Sequence, residues 1–95
     1  MPCVGVLTLE LRLEASHSLK DKRQTVKSLK DRLRGKFNVA VAETDFQDLW
    51  QRAAIAVATV SSDRVKAEQV LQQVERESSG QLGPMLVGVT LEWLE

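Results

Sequence analysis

Four leucines on alternate positions, Leu7, Leu9, Leu11 and Leu13, are separated by Thr8, Glu10 and Arg12. A period of two over this length is that of an extended strand with one face buried and the other polar. The pattern predicts a strand over Cys3 to Leu13 that must find a cover for its leucine face. Everything downstream can be asked how it supplies that cover.

The first candidate follows at once. Ser18 precedes a run in which Leu19, Val26, Leu29 and Leu33 recur at helical spacing, and Asp21 lies three residues after Ser18. A serine oxygen can accept from the exposed N–H groups of a first turn, and a carboxylate suits the positive end of the helix dipole, so Ser18 is the expected N-cap. Gly35 is the expected C-cap. Phe37 to Thr44 reads as a second strand, Asp45 to Asp48 as a polar reversal, and Trp50 to Val60 as a third strand whose Ala53 to Ala58 stretch is nearly continuous in apolar residues. Ser61, Ser62 and Asp63 offer caps for a second helix, with Ala67, Val70, Leu71 and Val74 on one face, ending by Gly80. Gln81 to Pro84 form the last loop, and alternation from Met85 to Leu94 predicts a fourth strand.

Two strand-helix-strand units joined by a hairpin define an α+β, ferredoxin-like βαββαβ arrangement over a single domain, 1–95. Right-handed crossovers place both helices on one face of a four-stranded antiparallel sheet. The other face is left open, and Val4, Val6, Ala54, Ala56, Ala58, Leu86 and Leu94 fall on alternate positions expected to point there. A surface of that kind is more apolar than solvent alone explains, so a homo-oligomer through the sheet face is one expectation.

Thirteen basic and thirteen acidic residues cancel, yet eight of the basic ones, Lys20, Lys22, Arg23, Lys27, Lys30, Arg32, Arg34 and Lys36, crowd the first helix beside only Asp21 and Asp31. The rest of the chain is acidic by difference. A neutral total thus conceals a basic face. The single Cys3 has no disulfide partner within the chain, the N-terminal residues lack the pattern of a secretory leader, and no apolar run approaches the ~20 residues a bilayer requires. A cytoplasmic setting without membrane contact is expected.

Several segments carry a family likeness. Ser18-Leu19-Lys20-Asp21-Lys22-Arg23, then Val26-Lys27-Ser28-Leu29 and Arg32-Leu33-Arg34, resemble the first-helix signature of the bacterial YlxP-like family, a domain of unknown function. Phe37 to Glu43, Asp48 to Ala53 and Val60 to Asp63 are similar to its second strand, its hairpin and its entry into helix two, with Asp21 where glutamate is commoner and Ser62 where asparagine is. The resemblance implies a ferredoxin-like fold in a bacterial cytoplasm. Family genes often neighbour those for a translation initiation factor and ribosome-binding factor A, which implies RNA or ribosome contact.

Three features invite a functional reading. The basic helix offers Lys20, Lys22, Arg23, Lys27, Lys30 and Arg34 as contacts to the phosphates of structured RNA or the ribosome, where each neutralised phosphate releases counterions; a solvated helix face is the plainer account. The turn containing Asp45, Asp48, Trp50, Gln51 and Arg52 groups two carboxylates, an aromatic and a guanidinium as a small recognition site; alternatively Asp48 caps the turn or pairs with Arg52 while Trp50 covers the sheet edge. His17 between two serines, Cys3 at a strand start, and Gly80, Gly83 and Gly88 form no triad, activated thiol or phosphate loop. No catalytic, metal or cofactor site is expected. The open sheet face would also present Val6, Thr8, Ala54 and Ala56 where RNA-recognition domains of this topology carry stacking aromatics, so RNA contact is expected to be led by the backbone.

Overall fold

The leucine strand becomes a central strand of a four-stranded antiparallel sheet of order β2-β3-β1-β4. The structure, a computed structural model, describes residues 1–94; Glu95 lies outside the described residues. Its elements are β1 (Cys3–Arg12), α1 (Leu19–Lys36), β2 (Ala40–Asp45), β3 (Arg52–Ser61), α2 (Arg64–Leu82), a single 3₁₀ turn (Gly83–Met85) and β4 (Leu86–Leu94). This is the ferredoxin-like βαββαβ arrangement.

Register shows how the alternation is used. Leu7 pairs with Val57 and Leu91, and Leu9 with Ile55 and Val89, so these side chains share the helix-covered face. Leu9, Leu11, Ile55 and Val57 are fully buried there beneath Leu29 and Leu33 of α1 and Leu71 and Val74 of α2. On the same face Gly5 pairs with Trp93, and a Cβ at Gly5 would stand 2.8 Å from Leu71 Cδ1 and 3.0 Å from the Trp93 ring. The missing side chain is the notch that lets the indole lie across the strand.

The even positions turn the other way. Val6 pairs with Ala58 and Glu92, Thr8 with Ala56 and Thr90, and Val4 with Val60 and Leu94, which sets Val4, Val6, Ala54, Ala56, Ala58 and Leu94 on the open face as expected. Leu86 is the exception. A register shift between Glu10 and Leu11 brings Leu86 opposite Leu11, and a one-residue slip in a period-two element moves the side chain to the opposite face, so Leu86 packs on the core.

Boundaries move for identifiable reasons. Ser18 caps α1 as expected, accepting from the Asp21 N–H at 3.1 Å. Gly35, however, lies within the helix, and the end falls at Phe37, whose N–H reaches the Leu33 carbonyl at 2.9 Å while its ring packs on the core. Asp63 caps α2, which continues past Gly80 because Leu82 extends the buried series Ala67, Leu71, Val74 and Ser78. The left-handed φ of 56° that stops it belongs to Gly83. Phe37 and Val39, expected in the second strand, instead pack against the core ahead of it, and Trp50 and Gln51, expected in the third, belong to the β2–β3 loop.

Candidate nucleic-acid interface

An 18-residue helix is about 27 Å long, and its charges divide by the face on which they fall. The core stripe of α1 runs Leu19, Lys22, Val26, Leu29 and Leu33, spaced by three and four residues. One of these five is a lysine. Lys22 is only 1 % exposed, and its ammonium donates to the carbonyls of Phe46 at 2.7 Å, Arg52 at 3.1 Å and Gln47 at 3.2 Å. Those three acceptors consume its three N–H donors. Glu43 Oε2 lies 2.9 Å from the same nitrogen and supplies the counter-charge. Lys22 therefore ties the first turns of α1 to the β2–β3 loop and is withdrawn from any surface contact. Its assignment as a phosphate ligand is corrected on that ground.

The remaining basic residues fall on two flanks. Arg32 and Lys36 face α2, where Glu77 accepts from Arg32 Nε at 2.6 Å and from Lys36 Nζ at 3.0 Å. The hydrogen bond from Lys36, then that from Arg32, holds the Glu77 carboxyl below the ordinary glutamate range. These two cations lock the helices together.

On the opposite flank, Lys20, Arg23, Lys27, Lys30 and Arg34 follow a three-four-three-four spacing and so share one sector of the helix surface. Arg34 reaches across to β2 and donates to the Val41 carbonyl at 2.8 Å, covering part of that edge strand. Lys27 pairs with Asp31 one turn on, at 2.6 Å, with both side chains solvated. Lys20 and Arg23 have no ion pair among the described residues, and Lys30 has none either. Asp31 records the field of this sector: its carboxyl is held below the ordinary range first by the hydrogen bond from Lys27, with the charges of Lys27, Arg34 and Lys30 adding to it. Five of the six expected contacts thus lie together and the sixth is buried.

The β2–β3 loop brings the other expected residues together in part. Asp45 Oδ1 accepts from the Phe46 N–H at 2.8 Å, and Phe46 itself has a φ of 62°. Arg52 does not pair with Asp48. It donates to Glu10 Oε1 at 2.8 Å on the open sheet face, with its guanidinium 3.9 Å from the Phe46 ring centroid. Trp50 stands 52 % exposed beside Leu49 at 47 %.

Among the described residues no three His, Cys, Asp or Glu side chains come together as a metal site, and no helix is long and apolar enough to cross a membrane. A groove between the end of β1 and α1 is lined by Glu14 and Asp21 with Gln24, Met85 and Val87, and the His17 N–H donates to Asp21 Oδ2 at 3.0 Å.

A family model described as "Protein of unknown function (DUF503)" matches residues 4–85. The chain belongs to the DUF503 family. Within reach of it is the "Uncharacterized protein YlxP" of Bacillus subtilis (strain 168), 41 % identical over 71 residues that cover 75 % of this chain and 77 % of that one. The resemblance carried by the first helix and the hairpin is thereby confirmed, and neither description names an activity. Among solved structures, the de novo designed protein Foldit4 superposes with a TM-score of 0.59 at 12 % identity, covering all of this chain and 98 % of its own. The de novo designed LFR1 1, with a ferredoxin fold, gives 0.55 at 14 % identity and covers 99 % of this chain and 84 % of its own. At such identities the likeness speaks of fold alone, and designed chains of this shape underline that fold does not carry function.

The geometry of the DUF503 chain yields a test of the buried cation. Removing one member of a buried pair strands the other, so Lys22→Met is expected to lower stability by about 3 kcal/mol, read as a shift in the urea midpoint. Amide exchange at residues 46–52 should speed up beyond that of the sheet. The double substitution Lys22→Met with Glu43→Gln is expected to recover part of the loss, because no unpaired charge is left behind.

Proposed function

We propose that this DUF503 protein is a non-enzymatic cytoplasmic binding protein that contacts structured RNA, in the ribosome or its precursors, through the exposed flank of α1. The observation that carries the reading is the sector formed by Lys20, Arg23, Lys27, Lys30 and Arg34, with Asp31 as its only acid. An ordinary surface helix intersperses its signs more evenly. Arg34 lies fourteen positions after Lys20, so the sector extends ~21 Å along the helix axis, room for several consecutive phosphates.

Contact of this kind is electrostatic and falls with salt, by about 0.7 logarithmic units per tenfold salt for each phosphate neutralised on a single strand. Four such contacts give a slope of about −3. Replacing Lys20, Arg23, Lys27 and Lys30 together by glutamate is expected to abolish RNA binding at low salt while leaving the far-ultraviolet circular dichroism intact. Unchanged affinity at matched salt would overturn the reading.

A second reading is favoured by the open sheet face. Val60 is 60 % and Leu94 55 % exposed, and both adjoin Val4 and Val6, with Ala56 and Ala58 behind them. A homo-oligomer that packs this face on itself removes that surface from water and leaves the basic flank free. Multi-angle light scattering across a range of concentrations is expected to give a dimer mass, and a strict monomer at high concentration removes this second reading.

A further inference from the structure

The two edges of the sheet are finished differently. β2 is six residues long, carries Glu43 and Asp45 with a register shift between them, and has its Val41 carbonyl taken by Arg34 at 2.8 Å. Short length, charge and a bulge are devices that keep an edge strand from pairing with another chain. β4 has few of them. After the register shift beside Leu86, residues 88–94 run in unbroken register with β1, without a proline and with Glu92 as their one charge. Half of the main-chain N–H and C=O groups of an edge strand point away from its neighbour, and a further strand pairs with those.

The helix-covered side of this edge is unfinished as well. Val89 and Leu91 share the face of Leu9 and Leu7, yet they are 38 % and 40 % exposed, because α2 packs chiefly on β1 and β3. With Leu7 and Leu71 they floor a groove whose other wall is formed by Glu68, Gln72 and Glu75 of α2. The Arg64 guanidinium lies over the Trp93 ring, 4.5 Å from its centroid, and Leu82 leads through the 3₁₀ turn into Leu86. The helix therefore runs antiparallel to β4, with its first turn beside Trp93 and the stretch from Glu68 to Glu75 beside Leu91 and Val89.

We propose that β4 pairs antiparallel with β4 of a second copy of this chain, about a two-fold axis at Leu91, joining the two sheets into one of eight strands. In that register the strand is complementary to itself. Leu91 meets Leu91, Val89 meets Trp93 and Gly88 meets Leu94, while Glu92, the one charge, meets the hydroxyl of Thr90 rather than another carboxylate. The charges of α2 obey the same symmetry. The axis carries the level of Trp93 onto that of Val89, so Arg64 of each copy comes level with Glu75 of the other, and opposite signs flank the seam. Such an isologous contact closes after two copies, because the edges left over are the two β2 strands, already protected. The pairing uses neither the basic flank of α1 nor the open sheet face, so it stands apart from both readings above.

Directly opposite residues of antiparallel strands have Cα atoms ~4.5–5.5 Å apart, within reach of a disulfide, so Leu91→Cys in a Cys3→Ser background reports the register. Mild oxidation is expected to convert this variant into a disulfide-linked dimer on a non-reducing gel, and to leave Ala42→Cys, exposed on the protected β2 edge, as a monomer. Light scattering is expected to give the mass of two copies for the unsubstituted protein and of one for the double variant Val89→Lys with Leu91→Lys, its far-ultraviolet circular dichroism unchanged. A single-copy mass for the unsubstituted protein at high concentration overturns the pairing. So does a dimer that crosslinks through Val60→Cys on the open face and not through Leu91→Cys, a result that supports the open-face oligomer instead.

Discussion

One ammonium group in the core ties α1 to the β2–β3 end of the sheet. A lysine in an apolar helix stripe is costly to bury unless every donor finds an acceptor and the charge finds a counter-charge. Lys22 meets both conditions with three loop carbonyls and Glu43. Because those partners belong to β2, the β2–β3 loop and the first residue of β3, the first turns of α1 cannot move independently of that loop. The core-facing side of the first turns of α1 and the backbone of the β2–β3 loop are thereby held together.

The rest of the electrostatics is a division of labour along α1. One flank is consumed by the helix–helix contact through Glu77, the stripe beneath is consumed by the core and Lys22, and the flank toward β2 keeps most of its charge in solvent. Arg34 stands at the boundary, cationic yet engaged with the Val41 carbonyl. The open sheet face lies on the far side of the sheet from both helices, so the proposed oligomer and the proposed RNA contact call on different surfaces.

Much of the fold was legible from spacing. The alternation of β1, the Ser18 cap and the apolar stripe of each helix are local patterns with one physical reading, and the crossover rule orders them. Gly35 misled because a glycine signals a helix end only where the backbone needs a positive φ, and Gly83 is where it does. Leu86 changed face through a bulge that no period announces. The position of Lys22 was visible, since it fills the gap between Leu19 and Val26 in the core stripe, but its acceptors are main-chain carbonyls, which every residue carries and no sequence marks. The same holds for the loop that carries Trp50: it is bonded to Leu13, Glu14, Ser16 and Lys22, residues distant in sequence.

The central claim is that α1 carries one structural lysine and a separate, accessible cationic flank. Amine modification of the native protein under limiting reagent, mapped residue by residue by mass spectrometry, tests it directly. The account predicts rapid modification of Lys20, Lys27 and Lys30, with Lys22 unmodified until the protein is unfolded in urea. Modification of Lys22 in the native protein at a rate matching Lys20 would contradict it.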